Sequence, residues 1–141
     1  MIKRRISMIL AVVLLLGCMV MPVSAATANS KASLYLSTYR ALISGASGKL
    51  EIGYTVGSGS IMTSIGVSEI KIYKSNGSLM TTVTGTTKNG LLVSNTDFHS
   101  DVYTYYGAVG TSYYAVVTVI ASCSGGSDTR TITTKTVTIT R

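Results

Sequence analysis

The sequence predicts an all-β fold, a two-sheet antiparallel sandwich of about seven strands. Three observations carry this. From residue 34 onward Val, Ile, Thr and Tyr dominate, the residues whose branched or aromatic side chains fit a pleated surface. Clusters of Gly, Asn and Ser cut that stretch at intervals of about 8 to 12 residues, the spacing of short strands joined by turns. No apolar pattern of helical period is sustained there over a useful length. The composition agrees: 46% of residues are apolar and 12% charged, too apolar and too weakly charged for a disordered chain, and 141 residues leave room for one domain.

The one helix expected lies ahead of the sandwich. Lys3, Arg4 and Arg5 precede an apolar run over 6–23, and Val23-Ser24-Ala25 followed by Ala26 is the small-x-small pattern of a signal peptidase site. The reading is a signal peptide at 1–25, cleaved between Ala25 and Ala26, a flexible segment at 26–33 and the sandwich at 34–141. Secretion is the expected destination. The alternative is a lipid anchor on Cys18, because Leu15-Leu16-Gly17-Cys18 resembles a lipobox; the still apolar residues 19–23 would make a poor polar tether. After cleavage no segment is left to span a membrane, and Thr140-Arg141 carries no sorting motif.

Cleavage removes three basic residues and leaves 9 basic and 5 acidic ones, dispersed without a run. Dispersed charge of this size argues against a nucleic-acid partner. Only Cys123 survives cleavage, so no disulfide closes within the chain and the core alone must hold it.

Strands are expected at 34–43, 49–56, 68–74, 79–84, 101–109, 112–122 and 129–140. A short helix with Leu34, Thr38 and Leu42 on one side is the alternative for the first. Asn76-Gly77 predicts a tight type I′ hairpin with positive φ at both residues. Ser124-Gly125-Gly126-Ser127-Asp128 supplies the last connection. Within the final strand Ile132 has even parity and Val137 and Ile139 odd, which demands a bulge near Thr133 and Thr134. Met62 and Ile65 read as core residues at the entry to a strand.

The segment Gly110-Thr111-Ser112-Tyr113-Tyr114-Ala115-Val116-Val117-Thr118-Val119-Ile120-Ala121 resembles strand F of fibronectin type III and other immunoglobulin-like domains. The resemblance implies an immunoglobulin-like sandwich in which Tyr113 forms the tyrosine corner and Ala115, Val117 and Val119 face the core. The usual core Trp is missing. Along 34–139, the order of Tyr35 and Tyr39, Gly48-Lys49-Leu50, Met62-Thr63-Ser64-Ile65-Gly66-Val67-Ser68, Ile70-Lys71-Ile72-Tyr73-Lys74, Asn95, His99 and Tyr105-Tyr106-Gly107 is similar to an uncharacterised family of small secreted proteins of Gram-positive anaerobes. That resemblance implies fold and export and carries no catalytic or binding residue.

Catalytic chemistry finds little to use. His99 is the sole His, so a nucleophile system has one base to draw on, and Gly57-Ser58-Gly59-Ser60 reads as a flexible turn and not as a nucleophile elbow. Asp97, His99 and Asp101 alternate and would share a face if extended, but on a loop they are better read as turn-closing residues than as metal ligands. Glu51 and Glu69 are the two Glu residues and read as exposed strand positions, and the glycines of 85–90 lack a phosphate-loop ending. No enzyme activity, metal or cofactor is expected.

Tyr103, Tyr105 and Tyr106 are the candidate binding surface, since alternation along a strand must turn some of them outward. The function expected is that of a monomeric, non-catalytic extracellular module binding a protein, a glycan or the cell wall. The alternative is a cell-surface structural protein that assembles strand to strand, through the uncharged window 113–120 or the Thr-rich last strand if either lies at an edge.

Overall fold

Two strands with strict alternation set the fold. In β2 (Lys49–Met62) Leu50, Ile52, Tyr54 and Val56 are buried while Lys49, Glu51, Gly53 and Thr55 face outward. In β7 (Ser112–Cys123) Tyr113, Ala115, Val117, Val119 and Ala121 are buried in the same way. The period of two gives each strand one apolar face, and pressing those faces together removes both from water. Each buried Ile, Leu or Val side chain contributes about 1.5–3 kcal/mol by leaving water.

The computed structural model describes residues 33–141. One sheet has the order β1-β2-β6, with β1 at Thr38–Ala46 and β6 at Thr96–Tyr106. The other has the order β4-β3-β7-β8, with β3 at Ser64–Lys74, β4 at Leu79–Thr84 and β8 at Gly126–Thr133. Two short strands complete it: β5 (Leu92–Val93) pairs with β3 and β9 (Val137–Thr138) with β7. All pairings are antiparallel. The result is an all-β two-sheet sandwich, consistent with the immunoglobulin-like class. Strand F of that class lies between C and G, and β7 lies between β3 and β8. The signal segment 1–25, its junction at Ala25 and Ala26, Cys18 and residues 26–32 lie outside the described residues.

Several strand limits differ from expectation. The first strand starts at Thr38, with no helix in it and Leu34 exposed. β2 does not end at residue 56. It continues through Gly57-Ser58-Gly59-Ser60, the stretch expected to be a turn, and its register against β6 slips between Gly57 and Met62. β3 starts at Ser64 with Ile65 a core residue at its entry, while Met62, also core, is the last residue of β2 and not at a strand entry. β6 takes up 96–100, expected to be loop, because Val56 and Gly57 pair with His99 and Phe98. Pairing overrides weak β propensity in both cases.

The hairpin chemistry also moves. Only Gly77 of the Asn76-Gly77 pair has positive φ, at 88°. Lys74 O accepts the N–H of Gly77 at 2.9 Å, and the pairing shifts between Ile72 and Tyr73. That is a three-residue loop with a glycine bulge, not a type I′ turn. The two-residue turn with two positive φ values is at Ser47 (53°) and Gly48 (73°), between Ala46 and Lys49.

The final strand breaks into β8 and β9 across 134–136. Thr134 spans the break: its N–H donates to Ala115 O at 2.9 Å and its Oγ1 accepts the Ala115 N–H at 2.9 Å. The break lets Ile132 pack against the core and Ile139 enter it fully buried. Beyond it, Ile139 N–H donates to Thr111 O, Ile139 O accepts the Gly110 N–H, and Thr140 O accepts the Gly48 N–H at 2.9 Å. The segment thereby ties the β1–β2 turn of one sheet to the start of β7 in the other. Gly45 makes room for it, since a Cβ there would lie 2.6 Å from Thr138 O.

Candidate functional site

The outward face of β1-β2-β6 follows from the register. Across the three strands the outward residues form the rows Thr38, Gly57, Phe98; then Arg40, Thr55, Ser100; then Leu42, Gly53, Val102; then Ser44, Glu51, Thr104; and Ala46, Lys49, Tyr106. Phe98, Val102 and Tyr106 are 55%, 54% and 79% exposed, and Leu42 is 54% exposed. Four apolar side chains thus stand on one side of a sheet that buries its other side.

The middle row is notched. Gly53 has no side chain, so Leu42 and Val102 stand as walls over bare backbone. Two shallow depressions of about 350 and about 380 Å³ meet there, sharing Leu42, Gly53 and Val102. Arg40, Thr55 and Ser100 border one, and Ser44, Glu51 and Lys135 the other. A Cβ built on Gly53 would come no closer than 4.0 Å to Val102 Cγ2, so the notch is open space. One rim charge is paired: Lys49 Nζ lies 2.7 Å from Glu51 Oε1, and that bond raises the lysine's pKa. Ser100 Oγ donates to Tyr54 O and lies 3.1 Å from Thr55 Oγ1, which fixes the hydroxyls beside the notch.

Of the three candidate tyrosines, one reaches this face. Tyr103 and Tyr105 pair with Ile52 and Leu50 and pack against the core. The ring of Tyr105 meets that of Tyr113 edge-on at 5.9 Å, and burial raises the Tyr105 pKa. Of the three candidates, alternation turns Tyr106 outward and Tyr103 and Tyr105 toward the core, because β6 runs odd-in, even-out. Tyr113 is buried, and its hydroxyl accepts the N–H of Ala108 at 3.1 Å.

Phe98, Val102, Leu42 and Gly53 were not singled out by sequence. The signal was present: residues 98, 102 and 106 are four apart, an even spacing that puts them on one side of any strand containing all three.

The residues weighed for chemistry are engaged elsewhere. His99 Nε2 lies 2.8 Å from Gly90 O, which makes it the protonated nitrogen, and 3.2 Å from Tyr54 Oη. Tyr54 Oη also donates to Gly90 O, at 3.4 Å, and burial pushes its pKa up to about 12, with the Asp101 charge adding to the shift. The His99 imidazole thus holds the loop before β5 onto the sandwich. Asp97 and Asp101 are exposed, and among the described residues no three His, Cys, Asp or Glu side chains are grouped to hold a metal. Glu51 pairs with Lys49 and Glu69 with Lys71, at 2.7 and 2.9 Å, on different sheets.

No known protein family, curated protein or solved structure matches this chain.

Proposed function

We propose that the chain is an exported, non-catalytic binding module that docks a polypeptide on the outer face of β1-β2-β6, with an apolar side chain of the partner seated in the notch over Gly53. The basic, apolar and small-residue order of the first 26 residues supports export. The observation that carries the docking reading is the row of Leu42, Gly53 and Val102, two half-exposed aliphatic walls around a floor without a side chain. Apolar side chains inserted into such pockets are the usual anchors of protein contacts. A pyranose would want an aromatic plane beside planar polar groups. The outward rings, Phe98 and Tyr106, are each four residues from Val102, about 13 Å along the strand. A binding role without chemistry is also supported by His99 and both Glu residues having structural partners of their own.

An array of immobilised peptides, with a glycan array run beside it, tests this. The wild-type protein should retain a subset of peptides sharing an apolar residue. Gly53→Val, which fills the notch from an open position, should weaken that retention at least tenfold while the fold persists. Equal binding by the variant, or retention by glycans and not by peptides, overturns the proposal.

A further inference from the structure

We infer that β4 is an edge through which two copies of this chain pair, strand against antiparallel strand. A sheet edge presents a row of unpaired N–H and C=O groups, and soluble proteins guard such rows with charges, inward-pointing ionic residues or a covering segment. Three of the four edges of this sandwich carry such guards. β1 carries Arg40, and the segment around Thr138–Thr140 lies against its Gly45 end. β6 carries Asp97 and Asp101. On β8, Asp128 and Arg130 sit at half-buried positions alternating with exposed Ser127, Thr129 and Thr131, and Asp128 additionally binds the segment ahead of β1.

β4 has none of these. It pairs with β3 from Glu69 to Tyr73, and among the described residues the sheet order puts no strand on its other side. No charged residue and no proline occur anywhere in 75–87. Leu79 and Met80 are 52% and 39% exposed. One end is closed, because Asn89 Nδ2 donates to Thr84 O at 2.8 Å, so the open stretch is 79–83.

The occupant that fits is a second copy. A strand of Leu, Met, Thr and Val accepts an uncharged strand without burying a lone charge, whereas β8, β6 or β1 of a neighbour would bring Arg130, Asp128, Asp97, Asp101 or Arg40 against it. Pairing about a two-fold axis uses β4 on both sides, opposes no like charges, and closes at two because each copy spends its one unguarded edge. This goes beyond the peptide-docking reading, uses a different sheet, and replaces the monomer expected from sequence.

Sedimentation equilibrium of the exported form tests it, over concentrations up to about 1 mM, the weakest dissociation constant of interest. Wild type should pass from the monomer mass to twice that mass and stop. Thr82→Lys and Met80→Lys, both on the solvent-facing side of β4, should weaken dimerisation at least tenfold. Thr131→Lys, the matching change on β8, should leave it intact. A wild-type monomer throughout, loss in Thr131→Lys but not in the β4 variants, or masses climbing past the dimer would each overturn the inference.

Discussion

The carboxylate of Asp128 on β8 accepts the backbone N–H of Tyr35 at 2.6 Å and that of Leu36 at 3.4 Å, joining positions 93 and 92 residues apart. The Tyr35 bond is the main reason the Asp128 pKa falls below its usual value. A depressed carboxylate pKa adds stability above the unfolded value, about 3.9, and that stability is lost as pH drops through the folded value. Amide protection factors at Tyr35 and Leu36 should therefore be high at neutral pH and fall below about pH 3.9, ahead of those of the β7 amides. Asp128→Ala should lower them at neutral pH as well. Protection unchanged by either would refute the tie.

Alkali should act on Tyr54. Its phenol is raised to about 12 by burial, and a raised pKa means stability that is complete below the ordinary Tyr value and lost as pH rises through the folded one. Ultraviolet titration should show Tyr54 ionising well after the exposed tyrosines. Tyr54→Phe should remove that late step and flatten the loss of stability between about pH 10 and 12. A titration in which every phenol ionises together contradicts this.

Two glycines should respond very unequally to alanine. Gly66 has φ 142°, and a Cβ there would lie 2.1 Å from Leu91 O and 3.1 Å from His99 Cδ2. Gly66→Ala should cost about 3 kcal/mol in urea unfolding. Gly53→Ala, pointing into open space, should stay within about 0.5 kcal/mol of wild type. Equal effects would mean the close approach at Gly66 is not enforced.

Tyr113→Phe keeps the ring against Tyr105 and leaves the Ala108 N–H without its acceptor. The expected cost is about 1 kcal/mol, read as a fall of several degrees in the thermal midpoint. A variant as stable as wild type would show that solvent replaces the hydroxyl without loss.

Much of this architecture could be read from residue types. The odd positions 113, 115, 117 and 119 alternate with Tyr114, Val116 and Thr118, and one such strand between two others specifies a sandwich core. The parity conflict between Ile132 and Ile139 required a break, and the break falls at 134–136. Turn geometry was less legible. Asn76-Gly77 has the composition of a type I′ turn, yet Ser47-Gly48 takes that conformation because its flanking strands pair as far as Ala46 and Lys49. The site was legible only in part. Alternation shows that Tyr105 and Tyr106 face opposite ways without showing which way is out; that is set by the pairing of Tyr105 with Leu50, a contact between residues far apart in sequence. The notch at Gly53 needed the register of three strands at once.

Ile139 and Thr140 knit one sheet to the other, and this bears on when the chain can fold. A polypeptide emerging from its point of synthesis has every strand of the smaller sheet once Tyr106 is out. It still lacks the side chain that plugs the sandwich end and the carbonyl that Gly48 requires. Closure waits for contacts spanning about 90 residues, the kind that form late. Until then the smaller sheet stands without its end plug, so the fold is complete only once the last strand has been made.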